Sequence, residues 1–195
     1  LQLQPQPTPL DWPSALEHLL EMLPRWQHRN KSPILQLCIP IVEPDPLEWL
    51  QYQEGVTRVY WSDREHQFQM AGLGAALQIK GSTDEVMQKV SGWQKLISPN
   101  TAFLGGIPFH NSTKATQQCG NFQQAAFVLP FLMVQQDSNG SFLWVHLAQN
   151  IDGASTTQEL FDLLDRLKSP SNQRLFDSQR ISIVERNDAP NLVDW

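Results

Sequence analysis

The sequence is organised around residues 59–76, VYWSDREHQFQMAGLGAA. An aromatic, β-branched run (Val59 to Trp61) meets a polar, charged turn from Ser62 to His66. A second run follows and ends in two glycines. Aromatic and β-branched residues on both sides of a polar turn are typical of paired strands. The stretch therefore predicts a β-hairpin, and the other segments are interpreted as structure built around it.

The glycines of this stretch, Gly72 and Gly74, resemble the start of a GxGxxG dinucleotide motif. The third glycine is missing, because position 77 is Leu. The two glycines also lie inside a strand pattern, whereas a phosphate loop needs a strand-to-helix turn. We interpret them as a bulge or as a close approach of two backbones.

Length and composition indicate a folded, single-domain protein. The chain has 195 residues, 41% of them hydrophobic, including seven Trp and nine Phe, which is enough for a core. The net charge is −6 and no Lys/Arg cluster is present, so nucleic acid and anionic membranes are not expected partners. No run approaches the roughly 20 apolar residues of a membrane span, and no signal peptide is visible, so we expect a cytoplasmic protein.

The domain organisation predicted from these features has three parts. Residues 1–10 are rich in Pro and Gln and form a flexible lead-in. Residues 11–186 form a single α+β domain, and residues 187–195 begin a linker to a further part. The first residue is Leu1, not Met, so we expect the chain to be part of a longer protein.

Three helices are predicted from capping residues and leucine spacing. Asp11 caps the first, with an apolar stripe at Leu16, Leu19, Leu20 and Leu23, and Pro24 ends or kinks it. Ser82 and Glu85 form a capping box that opens a helix to about Ile97. The third begins at Thr156, and its stripe is Leu160, Leu163, Leu164 and Leu167. Leu47 to Gln51 offers one further helical turn.

About seven strands complete the pattern. Ile34 to Val42 is an edge strand because it contains Pro40. Thr101 to Phe109 is a glycine-interrupted strand, and Asp137 to Gly140 is a hairpin turn. The remaining predicted strands are the run 122–136, interrupted at Pro130, the run 142–148, covered on both faces, and the run 180–185. The predicted fold is α+β, with a mainly antiparallel sheet and helices on its outer face.

No residue stands out as catalytic, cofactor-binding or metal-binding. None of the histidines has zinc-ligand spacing, and we interpret them as surface or satisfied core residues (His18, His28, His66, His110 and His146). The prolines around Glu43, Asp45 and Glu48 indicate a stiff loop in place of a metal site.

The other candidate groups have equally plain interpretations. Asp162 and Asp165 flank a leucine stripe and belong to a solvated face. Arg180 and Arg186 are a slight basis for an anion site. Cys38 and Cys119 are interpreted as two buried thiols, with a disulfide as the alternative.

Four segments, in this order, resemble the N-terminal part of isochorismate synthases, which are chorismate-utilising enzymes. Tyr60-Trp61 with Phe68 and the run 71–75 resembles the family's aromatic hairpin. The run FLGGIPF at 103–109 is similar to its aromatic-Gly-Gly strand, and FVLP at 127–130 to its strand entering a Leu-Pro step. RNDAP at 186–190 with Trp195 resembles the link into the enzyme's second half. The likeness extends over residues 30–195.

This resemblance implies a fold, an activity and a missing part. The family converts chorismate to isochorismate with Mg²⁺: a lysine base activates water, which adds to the ring as the 4-hydroxyl leaves with help from a glutamic acid. These groups and the metal carboxylates match positions beyond Trp195, so none is assigned to a residue of this chain. The chain is then the non-catalytic scaffold part, without a cofactor of its own.

The expected partner is the missing C-terminal chorismate-binding part. In its absence an apolar sheet face would be exposed and would favour self-association. Two alternatives stay open at this point. One is a different chorismate enzyme, of the salicylate or anthranilate synthase type, and the other is a non-enzymatic interaction module on the same scaffold.

Overall fold

The computed structural model describes residues 8–29, 32–42, 44–99, 101–108, 124–149, 151, 154 and 156–169. This part of the chain contains four helices and eight strands. In chain order they are α1 (Trp12–Arg29), β1 (Ile34–Ile41), α2 (Pro46–Gln51), β2 (Arg58–Ser62), β3 (Gln69–Leu73), β4 (Leu77–Gly81), α3 (Thr83–Gln94), β5 (Leu104–Gly106), β6 (Ala125–Leu129), β7 (Leu132–Asp137), β8 (Gly140–Ala148) and α4 (Thr157–Asp165).

The strands form two sheets, where the sequence predicted one. A five-stranded sheet has the order β1-β8-β7-β3-β2, and a three-stranded sheet has the order β4-β6-β5. Every pairing between these strands is antiparallel, which confirms the predicted α+β class. β1, which contains Pro40, is an edge strand as predicted.

A shared corner joins the two sheets. One pair of neighbouring strands continues from the large sheet into the small one: β3 leads into β4, and β7 is reached from β6. Leu73 pairs with Leu132 before the corner and Leu77 with Leu129 after it. The β3–β4 connection has three residues between these pairs, and the β6–β7 connection has two. The extra residue is a bulge, which lets paired strands bend from one sheet into another.

Glycine is required at this corner for two reasons. Gly74 has a φ of +68°, a left-handed conformation that side chains with a Cβ avoid. Gly72 has an ordinary φ, but a Cβ there would collide with the Pro130 ring and lie 2.7 Å from Val59 Cγ2. Of the two predicted alternatives, the bulge is confirmed; the close approach at Gly72 is to the side chains of Pro130 and Val59 and not to a second backbone.

The helices α1, α2 and α4 cover one face of the large sheet. α1 contributes the stripe Trp12, Ala15, Leu19 and Leu23, each less than 5% exposed. Leu20, which the sequence placed in that stripe, is 47% exposed. Pro24 does not end α1, which continues to Arg29, because the buried stripe on its N-terminal side holds the helix against the sheet.

The predicted capping residues form their hydrogen bonds at the start of α1 and α4, but only in part at α3. Ser14 N donates to Asp11 Oδ1 at 2.8 Å, as predicted for α1. At α4, Thr156 and Glu159 form a reciprocal capping box. At α3 the predicted box is incomplete, because Ser82 Oγ donates to Glu85 Oε2 at 2.8 Å and accepts nothing from the helix backbone.

α3 covers the small sheet and ends earlier than predicted. It stops at Gln94, where Leu96 N turns back to Trp93 O at 2.9 Å. Ile97 is nevertheless buried, in a second core with Val86 and Ile79. The predicted strand from Thr101 shortens to Leu104–Gly106, because Thr101 N is bonded to Ser98 O in a turn.

Both predicted hairpins are present. β2 pairs with β3 from Arg58↔Leu73 to Ser62↔Gln69, and β7 pairs with β8 across the two-residue turn Ser138-Asn139. β8 is buried on both faces from Leu143 to Ala148, as predicted. The predicted lead-in up to residue 7, the loop after His110 and the strand 180–185 lie outside the described residues.

Replacing Gly72 with Ala is expected to destabilise the fold by about 2–3 kcal/mol, because the methyl group must displace the rigid Pro130 ring. Urea unfolding measures the change. Gly92→Ala is the matched control: Gly92 lies exposed within α3, and a methyl group added there would meet nothing within 4 Å. That control should gain about 0.5–1 kcal/mol from helix propensity. Equal stabilities for the two variants would contradict the corner's close packing.

Candidate functional site

A buried histidine forms hydrogen bonds with two backbone carbonyls of the corner. His146 lies on β8 and is fully buried. Its backbone N donates to Phe131 O at 2.8 Å, and its Nδ1 lies 2.8 Å from Pro130 O. Its Nε2 lies 2.9 Å from Thr101 Oγ1. The side chain thus reaches one backbone carbonyl and one hydroxyl, on two different segments.

These partners fix the protonation of His146. A carbonyl oxygen only accepts, so Nδ1 carries the proton and Nε2 accepts from the Thr101 hydroxyl. Burial lowers the pKa of His146 to about 4, and the hydrogen bond to Pro130 O opposes this shift less strongly. The ring is therefore neutral at pH 7. The prediction of a satisfied core histidine is confirmed for His146.

A polar strip extends from His146 towards the α3–β5 connection. Gln36 lies opposite His146 on β1, and its Oε1 accepts from Ser98 N at 2.6 Å. Gln94 Nε2 donates to Thr101 O at 3.1 Å. The strip fastens the end of α3 and the start of β5 to the large sheet.

The face of the large sheet opposite α1, α2 and α4 is called the second face. The strand registers place Cys38, Trp144, Met133, Met70 and Trp61 there. Leu104 of β5 packs with Met70, Met133 and Trp144. Trp61 stays 47% exposed, and its ring meets Phe68 edge-on at a centroid distance of 5.8 Å.

Three buried polar atoms of the second face lack a partner among the described residues: Gln36 Nε2, Gln135 Oε1 and Trp144 Nε1. Two further indole nitrogens, of Trp12 and Trp49, lack one in the helix-covered core. A buried group left unpaired costs about 1–3 kcal/mol. These atoms have no accessible surface, so among these side chains it is the ring of Trp61 that solvent or a partner can reach.

Cys38 corrects the prediction of a buried thiol. It lies exposed on the outer strand β1, because the edge position leaves its side uncovered. Partial desolvation by its neighbours still raises its pKa to about 11, which keeps the thiol protonated and weakly nucleophilic. Cys119 lies outside the described residues.

The acidic candidates are structural or solvated. Asp45 Oδ1 accepts from Glu48 N at 2.9 Å and caps α2. Asp162 accepts from Gln158 on the same helix, and Asp165 is exposed. Within the described ranges, no three His, Cys, Asp or Glu side chains lie close enough to hold a metal ion. Glu43, Arg180 and Arg186 are outside those ranges.

Two of the remaining histidines, His18 and His66, lie on separate elements of the described structure. His18 is exposed on α1, and His66 lies in the β2–β3 turn with its Nδ1 2.8 Å from Ser62 Oγ. The His28 side chain and His110 are outside what the structure describes.

Two open clefts lie beside the sheets. One, of about 560 Å³, runs between α3 and β4 and includes Lys80, Lys89 and Trp93 in its lining. The other, of about 400 Å³, lies beside the corner against α4 and includes Gly74, Phe131 and Arg166. The sequence did not predict that Lys80 and Lys89 line the same cleft, because the two residues belong to different elements and form no basic run.

Comparison with known proteins identifies the family. The family model described as chorismate binding enzyme matches residues 18–195, which is most of the chain. The chain belongs to the chorismate-binding enzyme family. A search of the curated proteins found no match.

This chorismate-binding enzyme chain also has a similar solved structure. That structure is the menaquinone-specific isochorismate synthase MenF from Escherichia coli, with a TM-score of 0.55 and 19% sequence identity. The match covers 83% of this chain and 35% of the MenF chain. At this identity the likeness concerns the fold. It agrees with the sequence-based resemblance to the N-terminal region of a chorismate-utilising enzyme.

The chorismate-binding enzyme chain has no helix, among those described, with the length and apolar character needed to cross a membrane.

The neutral, buried state of His146 predicts a pH-dependent stability. The unfolded histidine takes up a proton below about pH 6.5, whereas the folded one does so only near pH 4. The free energy of unfolding should therefore be unaffected by this residue above pH 6.5 and fall as the pH drops towards 4, by up to about 3 kcal/mol. Urea unfolding at closely spaced pH values measures the slope.

His146→Gln should remove this part of the slope between pH 5 and 6.5, even though it lowers stability at every pH. His18→Gln, an exposed position on α1, is the control and should keep the slope. A wild-type stability that is flat between pH 5 and 6.5 would contradict the assignment.

Proposed function

We propose that this chain is the N-terminal, non-catalytic portion of an isochorismate synthase. The parent enzyme converts chorismate to isochorismate for menaquinone or phylloquinone synthesis, or for siderophores and salicylate. Its location is the cytoplasm.

One observation carries the proposal: the fold of this chain matches part of an isochorismate synthase. The match takes in 83% of this chain but about a third of the length of MenF. A family model for chorismate binding enzymes over residues 18–195 supports the same parent. The Tyr60-Trp61 hairpin and the Gly105-Gly106 strand favour the isochorismate branch over salicylate or anthranilate synthases.

The proposal divides the work between two parts of one enzyme. The lysine base, the acid glutamate and the carboxylates for Mg²⁺ belong to the C-terminal part. The described residues bring together no group of three metal-ligand side chains. The residues of this chain position strands: the corner at Gly72 and Gly74 sets the angle between the sheets, and His146 satisfies its free carbonyl.

The second face is the proposed contact with the C-terminal part. Leu104 of β5 covers Met70, Met133 and Trp144 in the middle of this face. Trp61 on β2 stays 47% exposed and is the part of the face that a partner can reach. The helices α1, α2 and α4 already occupy the opposite face of the sheet.

The chain of residues 1–195 is expected to form no isochorismate from chorismate, with or without Mg²⁺, when products are separated chromatographically. Mg²⁺ should leave the heat of a chorismate titration unchanged, because the metal ligands are in the other part. The downstream coding sequence should contain a lysine-bearing strand and Glu-rich motifs, and the joined protein should make isochorismate. Turnover by the 195-residue chain, or a joined protein that makes salicylate or anthranilate, would contradict the proposal.

Without its partner, the isolated chain is expected to self-associate through the second face. Trp61→Lys should weaken that association about tenfold, because it replaces an exposed aromatic anchor with a charge. Leu20→Lys is the matched control, since Leu20 is equally exposed but lies on α1. Sedimentation velocity over a concentration series distinguishes the variants. A monomeric wild type, or equal effects of both substitutions, would count against this contact surface.

A further inference from the structure

The cleft between α3 and β4 has the size and the walls of a small-molecule site. Its volume is about 560 Å³, and clefts of about 300–1,000 Å³ hold small ligands in other proteins. It lies along the outer edge of the small sheet, because β4 pairs only with β6 among the named strands. The lining residues are Leu77, Gln78, Ile79, Lys80, Lys89, Trp93 and Ile151.

The two lysines that line the cleft come from different elements, Lys80 from β4 and Lys89 from α3. Along β4, Leu77 and Ile79 are buried while Gln78 and Lys80 are exposed. α3 packs on the same sheet through Val86, which leaves Lys89 on an exposed side of the helix.

The charge of the cleft is opposite to that of the protein. The chain has a net charge of −6, yet the lining contains two lysines and no acidic residue. Neither lysine belongs to an ion pair within the described residues, where the ion pair present is Lys168–Glu54. The nearest carboxylate on α3, Glu85, has some electrostatic interaction with Lys89 but accepts a hydrogen bond from Ser82 Oγ.

The other walls are apolar. Trp93 and Ile151 are partly buried and pack against the second core, so each has one side on the core and another on the cleft. A flat ring can lie against such a wall and bury apolar area on both partners. An inorganic anion would use the lysines and leave this wall in water. A nucleic acid would need more cations than two.

We propose that the α3–β4 cleft binds a small organic carboxylate with a flat apolar body. The carboxylate lies between the ammonium groups of Lys80 and Lys89, where charge-assisted hydrogen bonds are available. The apolar body lies against Trp93 and Ile151. The site is separate from the second face and does not depend on the proposed parent activity. It requires binding alone and no reaction.

The test uses benzoate as the probe and benzamide as its neutral analogue of the same shape, titrated into the 195-residue chain. Benzoate should bind with a dissociation constant on the order of 1 mM, at least several-fold more tightly than benzamide, and more weakly at high salt. Backbone amide shifts in NMR spectra should centre on Lys80, Lys89 and Trp93. Lys80→Gln and Lys89→Gln should each weaken benzoate binding several-fold and leave benzamide binding unchanged.

Lys95→Gln is the control, because Lys95 is an exposed lysine that caps the same helix but does not line the cleft. It should bind benzoate like the wild type. The proposal is overturned if benzoate and benzamide bind equally, if both cleft variants bind benzoate as the control does, or if the shifts map to the second face. Failure of this test would leave the isochorismate synthase assignment untouched, because that assignment rests on turnover by the joined protein.

Discussion

The bulged corner between the two sheets is the constraint on which the rest of the structure depends. Three residues on one strand face two on its partner there, so the pair must bend, and the bend brings Gly72 against Pro130. Proline interrupts the ladder and cannot donate, and its carbonyl would be left without a partner. His146, on β8, donates a hydrogen bond from Nδ1 to that carbonyl. The Thr101 hydroxyl donates to the other ring nitrogen, Nε2. Glycine, proline and histidine act here as one unit.

The corner also divides the molecule into surfaces with different chemistry. On one side of the large sheet, three helices seal an apolar core around Leu19, Trp49 and Leu160. On the other side, Leu104 of β5 covers Met133 and Trp144, while the ring of Trp61 stays half exposed. The small sheet carries its own helix, α3, and the cleft lined by Lys80 and Lys89.

Local chemistry could be predicted from the sequence, and long-range assembly could not. The hairpin at Tyr60, the edge position of β1 and the start of α4 follow from nearby residues, through turn signals, Pro40 and Thr156. The predicted end of α1 at Pro24 was wrong, because burial of Leu19 and Leu23 outweighs a local preference. The sequence did not predict the second sheet. The bend arises because one connection at the corner is one residue longer than the connection it faces, and this difference appears only once the strands are paired. Lys80 and Lys89 were missed because only packing of α3 on β4 brings them together.

The pairing of β1 with β8 has a consequence for how the chain assembles. Ile34 meets Ala148, more than a hundred residues later in the sequence, and every strand between them is already placed by shorter connections. Contacts of such separation are slow to form, since the entropy of closing the loop is lost before the strands gain any stabilisation. During synthesis, β1 therefore leaves the ribosome long before β8, with which it pairs along its whole length. Until then its apolar side chains, Leu35 and Ile39 among them, are a natural target for a chaperone.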